Sequence, residues 1–111
     1  IPTLKTLNTK LEVLEQRANI LKNSIDNFIK CEVIKSFTMV GGGTTPNKKI
    51  PTFALSLEYK NLKANEIEKI LRKNLIISRI EYDKVLLDFR TIQEKDITTI
   101  EEILKKEFKN V

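Results

Sequence analysis

The stretch TMVGGGTTPNKKIPTFAL, residues 38–55, holds all three glycines and two of the three prolines of this 111-residue chain. Before it, CEVIKSFTMV (residues 31–40) mixes apolar and polar residues in a way that indicates a strand running into the glycines. After Pro51, TFALSLEYK (residues 52–60) alternates apolar and polar residues, which predicts a half-buried strand. Its apolar residues are Phe53, Leu55, Leu57 and Tyr59. The glycines therefore connect two strands, where they permit backbone angles that other residues avoid.

The same glycines do not form a phosphate-binding loop of the Walker type. That loop requires the pattern G-x-x-x-x-G-K-[ST] at the start of a helix, where backbone N–H groups and one lysine converge on phosphates. Here Pro46 removes one backbone donor, and the segment after the loop has the pattern of a strand. The dinucleotide-binding fingerprint fails for the same reason. The glycines alone thus predict a bend between two strands.

Helical periodicity occurs in three segments. From Leu11 to Phe28, apolar residues recur at every third or fourth position, which predicts a long amphipathic helix. The segment LKANEIEKILRKN, residues 62–74, predicts a shorter helix. The third helix is expected to begin at an Asp96 N-cap, since an aspartate side chain can accept hydrogen bonds from the first free N–H groups. Its apolar face carries Ile97, Ile100, Leu104 and Phe108.

A second hairpin completes the predicted fold. The segment LIISRIEYDKVLLDFR, residues 75–90, contains two apolar runs around Tyr82, Asp83 and Lys84, and aspartate tolerates the left-handed conformation of a tight turn. The resulting order, α-β-β-α-β-β-α, predicts an α+β fold: a small, mostly antiparallel sheet covered by helices. We expect residues 1–111 to form a single domain, because this length is sufficient for one core.

The composition excludes several kinds of active site. The chain has no histidine, so Ser-His-Asp and Cys-His catalysis and histidine-ligated metals are excluded, and we expect no metal site. The one cysteine, Cys31, cannot form an internal disulfide and is interpreted as a buried thiol. No apolar run approaches the roughly 18 residues that span a bilayer. We therefore expect a cytoplasmic protein without a membrane segment.

The charge distribution leaves a second class of function open. The net charge is +5, and residues 46–80 carry eight Lys and Arg against three acidic residues. Such a basic segment could serve a stand-alone RNA-binding or interaction module. Lysine outnumbers arginine sixteen to four, however, which is typical of a solvated surface. The two tyrosines and five phenylalanines lie mostly at predicted core positions, so no platform for stacking bases is evident.

Three segments in order give a family resemblance over essentially the whole chain. They are IPTLKTL followed by EQRANIL, then MVGGGTTPNKKIPTFAL, then SRIEYDKVLLDFRTI. Together they resemble the C-terminal part of the bacterial selenocysteine synthases, the L-seryl-tRNA(Sec) selenium transferases. The chain begins with Ile1 instead of methionine, and we expect it to be a C-terminal domain excised from a longer enzyme.

The resemblance implies a fold-type-I pyridoxal phosphate enzyme whose C-terminal α+β domain closes over a site held by a large domain. Members of this family convert seryl-tRNA(Sec) to selenocysteyl-tRNA(Sec) with selenophosphate, and pyridoxal phosphate acts as the electron sink. The lysine that binds the cofactor lies upstream of the matching segment, so the fragment alone should be inactive. The parent is expected to be a homo-oligomer. A related pyridoxal phosphate lyase or transferase that acts on a small amino acid is the alternative within the superfamily.

The resemblance also suggests three basic residues as substrate-binding groups. Arg79 and Arg90 match family arginines and are expected on opposite strands of the second hairpin, where a guanidinium could bind a carbonyl, phosphate or selenophosphate oxygen. The alternative is that each pairs with a nearby carboxylate, such as Asp88 or Glu81, and ties the sheet together. Lys5 stands where family members commonly have arginine, so it retains the charge but not the planar fork.

The glycine loop takes on a further role in this family context. We expect its residues to line the active site of the parent from the far side, without a catalytic residue of their own. The expected loop residues are Gly41, Gly42, Gly43, Thr44 and Thr45.

Overall fold

The computed structural model describes residues 10–42 and 45–109. The helices found there are α1 (Leu11–Ile25), α2 (Ala64–Lys73) and α3 (Glu94–Leu104), and α3 continues into a stretch of π-helix, Lys105–Lys109. The strands are β1 (Lys30–Gly42), β2 (Thr45–Glu58), β3 (Arg79–Glu81) and β4 (Lys84–Asp88). This order and the antiparallel pairing of the strands confirm the predicted α+β fold.

The four strands form one sheet in the order β1-β2-β4-β3. β2 pairs with β4 only from Ala54 to Leu57, whereas it pairs with β1 along almost its whole length. The outer parts of the first hairpin, Lys35–Gly42 and Thr45–Phe53, therefore extend beyond the other two strands. We call these two segments the hairpin arm.

The sequence predicted that the second strand begins after Pro51, but β2 begins at Thr45. In the arm, β2 has a strand partner on one side only, since β4 pairs no further out than Ala54. A proline can lie in such a strand without breaking a ladder hydrogen bond, provided that its missing N–H would have faced the open edge. Pro46 and Pro51 are thus compatible with a strand that the pattern alone began too late.

One side of the sheet packs against all three helices. Leu55 and Leu57 of β2 and Val85 and Leu87 of β4 share a single apolar core with the helices. α1 contributes Leu14, Ala18, Leu21 and Ile25 to this core, and the third helical segment contributes Ile97, Ile100, Leu104 and Phe108. The predicted apolar faces are therefore confirmed, except that Leu11 at the start of the first is exposed. α1 ends at Ile25, earlier than the predicted Phe28, which is half-buried against the same core.

The start of α3 differs from the prediction. Gln93 occupies the N-cap position, and Asp96 lies in the first turn, where its backbone N–H donates to the Gln93 carbonyl at 2.9 Å. The prediction of an Asp96 N-cap was wrong because an apolar stripe fixes which face is buried but not where the helix begins. A carboxylate in the first turn still interacts favourably with the helix dipole.

The second hairpin turns at Tyr82 and Asp83, whose φ angles are 52° and 63°. Two successive left-handed residues are typical of the type I′ turn that joins antiparallel strands, so the predicted turn is confirmed. β3 begins only at Arg79, however, and the apolar run Leu75–Ile77 precedes the strand. Within the described ranges, no helix is long and apolar enough to cross a membrane.

Candidate functional site

The side of the sheet that faces away from the helix core carries buried polar residues. Side chains alternate along a strand, so Thr52 and Ser56 point away from the core that contains Leu55. Thr38 and Asp88 also lie on this side, and all four polar residues are between 1% and 6% exposed. We call this face the polar side. Buried polar groups require hydrogen-bond partners, and the partners here converge on one carboxylate.

Asp88, the last residue of β4, accepts four hydrogen bonds. Oδ1 accepts from Thr52 Oγ1 at 2.7 Å and from the Arg90 backbone N–H at 2.9 Å. Oδ2 accepts from Thr38 Oγ1 at 2.6 Å and from Arg79 Nη1 at 2.7 Å. Burial would raise the pKa of Asp88, but these hydrogen bonds together outweigh burial and lower its pKa below the ordinary value. Asp88 is therefore an anion at neutral pH.

Arg79 connects Asp88 to the hairpin arm. Its Nη2 donates to Ser36 Oγ and to the Phe37 carbonyl, both at 2.8 Å, and its Nε donates to Glu81. Burial would lower the pKa of Arg79, but the hydrogen bonds to Asp88 and Glu81 raise it above the ordinary value. Both carboxylates that the sequence offered as partners therefore bind this guanidinium, together with two groups of β1.

Arg90 binds the other strand of the arm, β2. The sequence placed it on a strand opposite Arg79, but β4 ends at Asp88 and Arg90 lies in the turn that follows. Its side chain is buried, and Nε donates to the Pro51 carbonyl at 3.1 Å while Nη2 donates to the same oxygen. Burial lowers the pKa of Arg90, and the charge of Asp88 opposes that change.

Together these contacts connect the arm to β3 and β4 beyond the last residue pair of the β2–β4 ladder. The β2–β4 ladder reaches Asp88 and stops, and Phe37 and Pro51, the two residues whose carbonyls the arginines bind, are cross-strand partners in the arm. Side chains, together with one backbone hydrogen bond from the Phe89 N–H to the Phe53 carbonyl at 3.1 Å, therefore join the arm to the rest of the sheet. We call Asp88, Thr38, Thr52, Arg79 and Arg90 the Asp88 cluster. The Asp88 carboxylate is ionised and hydrogen-bonded on both oxygens. It is therefore better suited to holding neighbouring groups in place than to donating a proton.

The glycine loop lies at the far end of the arm from this cluster. Gly41 and Gly42 end β1 and Thr45 begins β2, with Gly42 paired to Thr45. Gly42 is four residues beyond Thr38, which corresponds to about 13 Å at about 3.3 Å per residue. The structure thus brings Arg79 and Arg90 together but keeps the loop apart from them. Gly43, Thr44 and Lys5 lie outside the described residues.

The sequence did not predict Thr38 and Thr52 as members of the cluster. Thr38 is 50 residues from Asp88 and Thr52 is 36 residues from it, so no local pattern connects them. The available signal was the polar residues Ser36, Thr38 and Thr52 at alternate positions of the two strands. That alternation predicts that the three side chains share one face of the sheet, but it does not predict that Asp88 binds the two threonines.

The described side chains do not fit a covalent pyridoxal phosphate site. A lysine that forms a Schiff base must reach a cofactor in an enclosed pocket, whereas every lysine whose side chain the structure describes is exposed or half-buried on the domain surface. Cys31 is half-buried rather than buried, since it lies on the edge strand β1. Burial and the nearby Asp26 raise the pKa of its thiol, against the opposing effect of Lys22, so the thiol is less reactive.

Comparison with known proteins gives one consistent result. The family model described as L-seryl-tRNA selenium transferase matches residues 1–93. The chain is 74% identical over 110 residues to the L-seryl-tRNA(Sec) selenium transferase of Aliarcobacter butzleri, covering 99% of this chain and 24% of the relative. Identity to the enzyme of the same name from Sulfurimonas denitrificans is 46% over 106 residues, covering 96% of this chain and 24% of the relative.

A third relative of the same name, from Alkaliphilus metalliredigens, is 40% identical over 110 residues, covering 95% of this chain and 24% of the relative. The similarity therefore extends beyond one group of closely similar sequences. In each case the chain spans about a quarter of the length of the curated relative that it matches.

Proposed function

We propose a function from one premise: the chain belongs to the L-seryl-tRNA selenium transferase family. The proposed parent converts seryl-tRNA(Sec) to selenocysteyl-tRNA(Sec) with selenophosphate, in the cytoplasm and as a homo-oligomer. Residues 1–111 form its C-terminal domain. The observation that carries this proposal is the 74% identity to the Aliarcobacter butzleri transferase over 99% of the chain.

The proposed parent uses pyridoxal phosphate, which supplies an electron sink when it is bound. Since no described lysine of this chain lies in an enclosed pocket, we assign the cofactor lysine to the rest of the parent. The isolated chain should then have no transferase activity. What it contributes is a set of positioned basic and backbone groups.

We assign different roles to the basic residues. Arg90 is proposed to bind an anionic oxygen of the substrates, as is Lys5. In this chain the Arg90 guanidinium is buried and donates to the Pro51 carbonyl, so this role requires the parent to expose it. Arg79 donates to Asp88, Glu81, Ser36 and the Phe37 carbonyl, so it is proposed to contribute chiefly by holding the arm. The arm in turn would present its glycine end, Gly41 to Thr45, to the active site of the parent.

The direct test is an assay of the full-length parent with seryl-tRNA(Sec) and selenophosphate. Formation of selenocysteyl-tRNA(Sec) is the expected result. Turnover of a free small amino acid without this product would replace the proposal with the lyase or transferase alternative. Binding of tRNA by the 111-residue chain alone, with affinity that falls steeply as salt rises, would instead favour an RNA-binding module.

Arg90→Ala in the parent should lower turnover by about tenfold or more, because a guanidinium that binds a reacting anion contributes several hydrogen bonds. Arg90 is buried, so thermal unfolding and cofactor absorbance must be measured in parallel, and Arg90→Lys tests whether charge alone suffices. Arg72→Ala is the control for loss of a positive charge elsewhere on the domain, since Arg72 is an exposed arginine on α2 paired with Glu68. Wild-type turnover in a folded Arg90→Ala parent would remove Arg90 from the site.

A further inference from the structure

Two large apolar side chains are almost fully exposed in the segment between α2 and β3. Leu75 is 91% exposed and Ile77 is 85% exposed, whereas Ile76 between them is 6% exposed and belongs to the core. We call Leu75 and Ile77 the Leu75 surface. Single exposed apolar residues are common, but two with this exposure within three residues place a large apolar area in water on one short segment.

The backbone at Leu75 adds a second, independent observation. α2 ends in a Schellman motif, in which the Ile76 N–H donates to the Leu71 carbonyl at 2.9 Å and the Leu75 N–H to the Arg72 carbonyl at 3.0 Å. Leu75 occupies the position after the C-cap with a φ of 65°, where glycine is the usual residue. A side chain with a Cβ is strained in this left-handed conformation. Within this domain, Leu75 is therefore unfavourable both for its backbone angle and for its exposure.

The length of the relatives indicates what covers this surface. The chain spans 24% of the Aliarcobacter butzleri relative, so a parent of that size carries about three times as much polypeptide again. We propose that the Leu75 surface packs against this remaining polypeptide and that burial of Leu75 there offsets its backbone strain. The inference rests on the proposed function only in that it requires the chain to be one part of a longer enzyme.

The proposal predicts opposite effects of one substitution in two contexts. In the 111-residue chain, Leu75→Gly should lower the unfolding equilibrium constant about fivefold in urea, because it relieves the strained φ and loses no contact. In the full-length parent, the same substitution should speed backbone hydrogen exchange at residues 74–78 by about tenfold, because an apolar contact is lost. Asp83→Gly is the control, since Asp83 is also exposed with a φ of 63°, and it should stabilise the domain in both contexts.

Three results would overturn the inference. Equal exchange at residues 74–78 in the wild-type parent and the wild-type 111-residue chain would show that nothing covers the surface. Stabilisation by Leu75→Gly in both contexts would show the same. Concentration-dependent dimerisation of the 111-residue chain in sedimentation, abolished by Ile77→Asp, would assign the surface to a second copy. The assay with seryl-tRNA(Sec) is independent of all three, so the interface and the proposed function can fail separately.

Discussion

The two sides of the sheet are both buried, but by different interactions. On the helix side, Leu55, Leu87 and Phe89 pack among apolar residues of three helices. On the polar side, Thr38, Thr52 and two arginines converge on Asp88. Apolar packing is non-directional and shared over many contacts, whereas the polar side depends on one carboxylate and its charge. The helix side should therefore respond to lost volume, and the polar side to lost charge and to pH.

The largest effect is expected on the helix side. Phe89→Ala removes a fully buried ring and should lower the free energy of unfolding by about 3–5 kcal/mol, because it leaves a cavity in the core. Urea unfolding measures this loss, which should be the same at pH 7 and at pH 4. A loss below about 1 kcal/mol, or one that varies with pH, would show that the two sides do not differ in the way described.

A smaller, pH-dependent effect is expected on the polar side. Asp88→Asn should lower the free energy of unfolding by about 2 kcal/mol at pH 7, since it removes the charge that Arg79 and the two threonines bind. The folded-state pKa of Asp88 is depressed. Its stabilisation is therefore complete above the unfolded value of about 3.9 and is lost as pH falls through the folded pKa.

The difference between wild type and Asp88→Asn should accordingly shrink below about pH 4. Glu101→Gln provides the control carboxylate, because Glu101 forms a partly exposed i,i+4 pair with Lys105 at 2.9 Å. It should change the free energy of unfolding by less than about 1 kcal/mol. A loss in Asp88→Asn that stays constant down to pH 2 would show that the charge of Asp88 does not stabilise the fold.

The sequence predicted the helix side well, because periodicity records which residues face a core. The spacing from Leu14 to Ile25 reflects burial directly, and the alternation from Leu55 to Tyr59 identifies the residues that join the helix core. The strand was predicted to be half-buried, but Ala54 and Ser56 on its other side are buried as well. The turn at Tyr82 and Asp83 was also predictable, since its chemistry is local. The ends of elements were not, because neither a proline in β2 nor an aspartate near α3 determines where pairing or helix formation begins.

The polar side was only partly predictable. The sequence offered Asp88 and Glu81 as partners of Arg79, and both bind it. It did not predict that the same cluster holds the arm through Thr38 and Thr52, because those contacts depend on the register of three strands. Nor did it predict the Leu75 surface, since an apolar run normally indicates burial and Leu75 is instead exposed with a left-handed φ.

We conclude that Asp88 holds the hairpin arm that carries the glycine loop. Hydrogen exchange in Asp88→Asn at pH 7, followed amide by amide in the 111-residue chain, tests it most directly. Exchange should become about tenfold faster in the arm, at Lys35–Val40 and Lys48–Phe53, with a much smaller change in the inner turns of α1. Equal acceleration throughout, or none in the arm, would contradict it, because the cluster would then not be what joins the arm to the sheet.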